Sequence, residues 1–387
     1  MTDSLPVNII LENGKSFEGR GWGDFTLAHS GEFVFNTAMT GIEESMTDPS
    51  FAEQIIVNTV AHVGNTGVNF EDMECSKIWA SGLICRNLET SPSNWRSKAS
   101  LAQWIQSHGK FVVDGINTRL LTLMLRDEGS LRGIVVKKDS MSVEEGLSFI
   151  QEKVPPMQSR ELISTVSTKE LYVYERSEPS EYWPLAEALS DRALCLTKSA
   201  RIGVWDFGVK TNMLRILDEM GFVLTVLPSN ATAEQVLKHS PDGLLLSNGP
   251  GDPEAANSIV EQLQLLIGKT PIMGICMGHQ LLCRALGAKT FKMKFGHRGI
   301  HHPVVELDAK GEVLRTWITS QNHGFAVEES SLPKGVRVCF RHADDQSVEG
   351  IESSERKMFS VQFHPEVGPG PFDALELFRR FKDLVEC

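Results

Sequence analysis

From about residue 200 onward, short apolar runs alternate regularly with segments of helical spacing, and that alternation constrains the fold more than any other feature. Ile202-Gly-Val-Trp-Asp reads as a buried strand, and Lys210 to Met220 carries apolar residues on one helical face before Gly221. Val223 to Leu227 reads as a strand stopped by Pro228, followed by a helix over Ala233 to Lys238 and a strand from Gly243 to Leu246. A helix from Ser258 to Ile267 ends at Gly268, and a strand from Pro271 to Ile275 runs into a helix from Gly278 to Leu286. A last helix spans Phe372 to Val385. This rhythm predicts an α/β fold: a central, mostly parallel sheet flanked by helices on both faces. In such sheets ligands sit beyond the carboxyl ends of the strands, so the loops that follow them are where chemistry belongs.

The first part of the chain has a different texture. Asn13-Gly14 between Val7-Asn-Ile-Ile-Leu and Ser16-Phe-Glu-Gly is a hairpin signal, because both turn residues must tolerate positive φ. Strands are predicted at Glu32 to Phe35, Gln54 to Val57 and Leu131 to Val136, with helices at Leu101 to Ile105 and Thr118 to Leu125. The chain therefore divides into a smaller strand-rich α+β domain at 1–152, a connecting segment at 153–199, and the α/β domain at 200–387. Pro155-Pro156, the polar run from Glu175 and Trp183-Pro184 punctuate the connection.

A net charge of −12 over 387 residues argues against a nucleic-acid partner, which would want a basic face. No run approaches the ~18 unbroken apolar residues of a membrane span, and the start carries no secretory signal; the expected location is the cytoplasm. The seven cysteines are scattered without a C-x-x-C pair, so neither a disulfide framework nor a structural zinc site is expected.

One cysteine stands apart. Gly274-Ile-Cys276-Met-Gly278 joins a predicted strand to a predicted helix in the G-x-nucleophile-x-G arrangement. The glycines leave room for a sharp turn, and a sulfur at the positive end of a helix is favoured as thiolate. The Met277 N–H would point at any oxyanion formed there. The alternative is a buried structural cysteine, the reading adopted for Cys283 two turns later.

A cysteine nucleophile needs a base, and the base needs an orienting group. His364 follows the apolar run Met358 to Phe363 and precedes Pro365, and Glu366 lies within reach of its ring. His323 in Ser320-Gln-Asn-His-Gly-Phe-Ala-Val is an equal competitor on chemistry alone, whereas His279 should pack beneath the turn.

Gly274-Ile-Cys-Met-Gly-His-Gln280 together with Phe363-His-Pro-Glu366 resembles the signature of class I, triad-type glutamine amidotransferases. The resemblance implies a Cys276, His364, Glu366 triad and a γ-glutamyl thioester intermediate. Ser247-Asn-Gly-Pro-Gly-Asp-Pro253 is similar to that family's oxyanion loop. In the first domain, Phe35-Asn-Thr-Ala-Met-Thr-Gly41, Thr47-Asp-Pro-Ser50, Val63-Gly-Asn-Thr-Gly67, Asn117-Thr-Arg-Leu-Leu-Thr122 and Leu131-Arg-Gly133 resemble the carbamoyl-phosphate synthetase small-subunit family. Trp205-Asp-Phe-Gly-Val-Lys210, Lys292-Met-Lys-Phe-Gly-His297 and Gln321 to Val327 agree with it. By that resemblance Ser50, Gly249, Gly251, Met277, Gln280, Asn322, Gly324 and Phe325 would hold L-glutamine, with the Gly249 and Met277 N–H groups as oxyanion donors. Ile42, Asn117 and His301 depart from the family pattern without touching the triad.

The resemblance implies a glutaminase that delivers ammonia to a separate large subunit, where bicarbonate and ATP yield carbamoyl phosphate for arginine or pyrimidine synthesis. It implies no metal or organic cofactor in this chain, with ATP and Mg²⁺ on the large subunit. The competing readings are another class I amidotransferase or γ-glutamyl hydrolase, which would leave the N-terminal motifs unexplained, and a non-catalytic regulatory module of the same fold.

Overall fold

The computed structural model describes residues 4–175 and 200–386. They fall into two compact units, Met1–Gln158 and Ser159–Cys387.

In the first unit, period-two patterning closes a sheet on itself. The strands run in the spatial order Leu5–Leu11, Ser16–Trp22, Phe111–Asp114, Gly82–Ile84, Gln54–Asn58, His29–Asn36 and Leu131–Lys137, and the last pairs antiparallel with the first. The predicted Asn13-Gly14 hairpin joins the first two, with Gly14 at φ 80°. Alternate residues fill the interior, among them Val7, Ile9, Leu11, Ile55, Val57, Phe111 and Val135. Their neighbours face outward onto helices: Ile10, Ile134 and Val136 pack with Ile150 of the helix Val143–Lys153. Val34, Ile56, Leu83 and Val112 pack with Trp104 and Ile105 of the helix Leu101–Ser107.

The second unit is built on a ten-stranded sheet. Its centre is parallel, in the order Val223–Leu227, Arg201–Trp205, Gly243–Leu246, Ile272–Ile275 and Met358–Val361. Strand residues alternate between two apolar layers. Ile202, Val204, Leu245, Met273 and Ile275 pack with the helices Thr211–Glu219 and Glu376–Glu386. Trp205, Leu244, Leu246 and Ile272 pack with Ala233–Lys238, Asn257–Gln264 and Met277–Ala285. The two-faced winding expected from the alternation is present. Beyond Met358–Val361 the sheet continues antiparallel through Val348–Ser353, Arg337–His342 and the long hairpin Thr290–Leu307/Val313–Val327.

Element ends shift slightly from the predicted ones. The helix expected at Ser258 to Ile267 is Asn257–Gln264, and the one expected from Gly278 begins at Met277, so Cys276 itself caps it. The helix expected from Phe372 opens with a 3-10 turn at Phe372–Leu375. Of the connecting segment, residues 159–175 belong to the second unit: Tyr172–Val173 adds a strand to its sheet, and the Ser159 N–H donates to Asp252 at 2.7 Å. Trp183-Pro184 and the polar run beyond Glu175 lie outside the described residues. Among the described residues no helix is long and apolar enough to cross a membrane.

Candidate active site

The strand Ile272–Ile275 and the helix Met277–Ala285 meet at Cys276, which takes φ 53° and ψ −104°. A non-glycine residue there is strained, and such strain persists only where its surroundings over-determine it. The surroundings do so here. A Cβ on Gly274 would lie 2.9 Å from the Gly278 carbonyl carbon and oxygen, and one on Gly278 would lie 2.2 Å from the Leu246 carbonyl oxygen. The Cys276 N–H donates to Val361 at 2.9 Å, and the Gly278 N–H donates to Ser247 at 3.0 Å. Strand, elbow and helix are thus locked together by backbone contacts that only glycine permits.

Those bonds leave the Met277 N–H among the first-turn donors that have no carbonyl one turn back. The loop after Gly243–Leu246 approaches its neighbours as closely as the elbow does: a Cβ on Gly249 would lie 2.2 Å from the Phe207 carbonyl oxygen, and Gly251 takes φ +93°. Gly249 and Met277 are therefore brought to the carboxyl ends of adjacent parallel strands.

His364 and Glu366 follow the next strand of the sheet, Met358–Val361. The His364 N–H is tied to Ser320 at 2.9 Å, and the ring Nδ1 donates to Glu366 Oε1 at 2.7 Å. A carboxylate only accepts, so Nδ1 carries the proton. Nε2 is buried without a hydrogen-bond partner, and Cys276 is close enough to favour the charged ring. Burial alone would lower the His364 pKa, but Glu366 and Cys276 reverse this and raise it to about 10. Burial alone would raise Glu366, but Lys210 and His364 hold it down at about 2.

Lys210 escaped the residue-by-residue reading, although it closes the quoted motif Trp205 to Lys210. Its ammonium lies 3.0 Å from Glu366 Oε1 and donates to the Val367 and Gly368 carbonyls at 2.9 and 2.8 Å, and its side chain is 3% exposed. Asn212 adds a hydrogen bond to the Glu366 carbonyl. A buried cation, carboxylate and imidazole thus stand in line behind the sulfur.

Glu366→Gln would leave Lys210 buried without its counter-charge, an expected loss of about 3 kcal/mol at neutral pH. The Glu366 pKa is depressed in the fold, so its contribution is present above about 4.5 and lost as pH falls towards 2. Thermal unfolding of both proteins across that range should therefore converge on acidification; a gap independent of pH would contradict the charge assignment.

His323 is separated from this line. Its Nδ1 donates to the Phe325 carbonyl at 2.8 Å, and its Nε2 lies 3.7 Å from Glu349. His279 packs beneath the turn as expected, fully buried with Nδ1 2.8 Å from Ser360 Oγ. Cys283 is fully buried core, and burial pushes its thiol pKa up.

The remaining predicted residues fall as follows. The Asn322 carbonyl lies 3.6 Å from the Cys276 sulfur. Gly324 and Phe325 follow it on the same strand. Gln280 is 2% exposed, and its amide donates to the Phe325 carbonyl at 2.9 Å and to Gln362 at 3.0 Å. The Gln280 side chain therefore braces the strand beside the sulfur. Ser50 lies in the first unit, in the 3-10 turn Pro49–Phe51, where its N–H donates to Asp48 at 2.8 Å. Of the family departures, Asn117 caps the helix Thr118–Glu128 through a bond to Leu120 at 3.1 Å.

A family model described as carbamoyl-phosphate synthase small chain, CPSase domain, matches residues 9–135, and one described as glutamine amidotransferase class-I matches residues 203–384. The carbamoyl phosphate synthase small chain of Xanthomonas axonopodis pv. citri is 44% identical, covering 98% of each chain. That of Pasteurella multocida is 43% identical over 98% of this chain and 95% of its own, and that of Vibrio cholerae 42% identical over 98% and 97%. With an elbow cysteine, a histidine–glutamate pair behind it, and likeness over nearly its whole length to these small chains, the protein belongs to the carbamoyl-phosphate synthase small-chain family.

Proposed function

We propose that the chain hydrolyses L-glutamine at Cys276 and passes the ammonia to a carbamoyl-phosphate synthase large subunit. The observation that carries this is the buried line Lys210, Glu366, His364, Cys276 at an elbow that glycines alone permit. The Cys276 thiol gives its proton to His364 Nε2, the thiolate attacks the side-chain amide carbon, and the negative oxygen so formed accepts from the Gly249 and Met277 N–H groups. His364 then gives its Nε2 proton to the departing nitrogen, and the C–N bond breaks to leave a γ-glutamyl thioester. A water that loses its proton to His364 attacks the thioester, releasing glutamate and restoring the sulfur. Glu366 keeps the ring oriented throughout, and Lys210 keeps Glu366 ionised.

Gly249, Gly251, Met277, Gln280, Asn322, Gly324 and Phe325 hold the substrate, and the Gln280 amide also binds the Phe325 carbonyl. The chemistry calls for no metal or organic cofactor in this chain; ATP and Mg²⁺ serve the large subunit. Ammonia must travel unprotonated, because ammonium has no lone pair with which to attack. The pair forms a cytoplasmic heterodimer whose product feeds arginine or pyrimidine synthesis.

The test is ammonia release from glutamine by this chain, measured with and without its large subunit. Release that depends on Cys276 and couples to carbamoyl phosphate formation is expected. No release in either form, with the complex assembled, would leave only a regulatory role; release with no large ATP-using subunit in the purified complex would favour a γ-glutamyl hydrolase.

A further inference from the structure

We infer that His297, His323 and Glu349 form a binding site for one divalent transition-metal ion of the zinc class, distinct from the triad. His297 and His323 stand directly opposite each other on the hairpin Thr290–Leu307/Val313–Val327, their rings 5.0 Å apart at 86°. Glu349 reaches them from the strand Val348–Ser353. One ligand atom from each of the three lies within 4.8 Å of the others. His297 Nδ1 is 3.6 Å and His323 Nε2 is 3.7 Å from the same oxygen, Glu349 Oε1. A tetrahedral ion with bonds of ~2.0–2.2 Å holds adjacent donor atoms about 3.4 Å apart, so the spacing suits an ion better than direct hydrogen bonds.

The second observation is which way the lone pairs face. His323 Nδ1 donates to the Phe325 carbonyl and His297 Nε2 donates to Asp345 Oδ2 at 3.0 Å. Carbonyl and carboxylate oxygens can only accept, so each ring carries its proton on the outer nitrogen. The inner nitrogens, His297 Nδ1 and His323 Nε2, are buried and without hydrogen-bond partners. Both therefore turn a lone pair towards a carboxylate that is itself fully buried. Glu349 is anchored on its far side by Gln321 Nε2 at 2.9 Å, with Ser347 Oγ 3.5 Å from Oε1. Outer carboxylate and carbonyl partners of this kind are what orient metal-binding histidines.

A single proton on His297 would satisfy the contact with Glu349 but leave His323 Nε2 orphaned, at the cost of a buried polar atom without a partner. One divalent ion satisfies all three donors and leaves a fourth position for water. Such an ion would tie the strand bearing Asn322, whose carbonyl touches the Cys276 sulfur, to the strand bearing Glu349.

The test is zinc content of the full chain, expressed in zinc-supplemented cells and dialysed without chelator, with cobalt(II) substitution as a second readout. Expected are one zinc per chain and the visible absorption of tetrahedral cobalt without a thiolate charge-transfer band, both unchanged in Cys276→Ala. Glu349→Gln keeps the shape, and His323→Asn keeps an N–H for Phe325 while removing the inner nitrogen; each should weaken zinc binding at least ~100-fold. Circular dichroism identifies the folded variants, and either one suffices. Wild-type protein that takes up no zinc, or folded variants that retain it equally, would overturn the site, as would loss of the metal on removing Cys276.

Discussion

Cys276→Ala is expected to lower glutamine-dependent ammonia release by roughly 10⁴-fold or more, because no other group at the elbow can carry the acyl intermediate. The variant should fold: alanine removes one buried atom from a residue that is 2% exposed, and it adopts the same φ at comparable cost. Carbamoyl phosphate synthesis from supplied ammonia should persist in the assembled complex, because that chemistry bypasses the sulfur. Comparing the two nitrogen sources in one preparation separates a lost nucleophile from a lost fold. Retention of glutaminase activity near the wild-type rate would remove the basis of the mechanism.

Gly278→Ala should have the largest structural effect of any single methyl added near the site. Its Cβ would meet the Leu246 oxygen at 2.2 Å and carbon at 2.6 Å, and both belong to backbone that no rotamer change can move. The helix and the neighbouring strand must separate, an expected loss of about 3 kcal/mol. Displacing the sulfur and the Met277 N–H by about 1 Å should cost ~100-fold in turnover as well. Gly287→Ala is the control. Gly287 has φ +92° and nothing within 4 Å of its would-be Cβ, so only conformational strain of about 1 kcal/mol is expected, with activity unchanged. Urea unfolding midpoints of both variants measure the difference; equal losses would mean that the close approach at Gly278 does not hold the elbow.

The elbow was legible in the sequence because its demand is local: a strand must become a helix within three residues, and the two glycines are there for want of space. The parallel centre of the second sheet was legible for a similar reason, since each strand is apolar on both faces and each helix on one. The hairpin Thr290–Leu307/Val313–Val327 went unread. Its register shifts between Lys292 and His297, between Gly299 and His302, and between Glu306 and Leu307, so no steady period of two marks it. Closure of the N-terminal barrel was likewise invisible, because it rests on pairing Leu5–Leu11 with Leu131–Lys137 across most of that unit.

What the amino-acid order determined by itself was therefore the strand-and-helix alternation, the nucleophile's turn and the small set of histidines that could serve it. Residue chemistry alone left His364 and His323 level, and the family resemblance favoured His364; the folded chain adds that the two rings differ in what their outer nitrogens bind, Glu366 in one case and the Phe325 carbonyl in the other. Only the folded chain placed Lys210 on Glu366, through an ammonium that also binds a carbonyl 157 residues away in sequence. Local sterics are written in neighbouring residues. The pairing of buried charges is settled by which distant segments the sheet brings side by side.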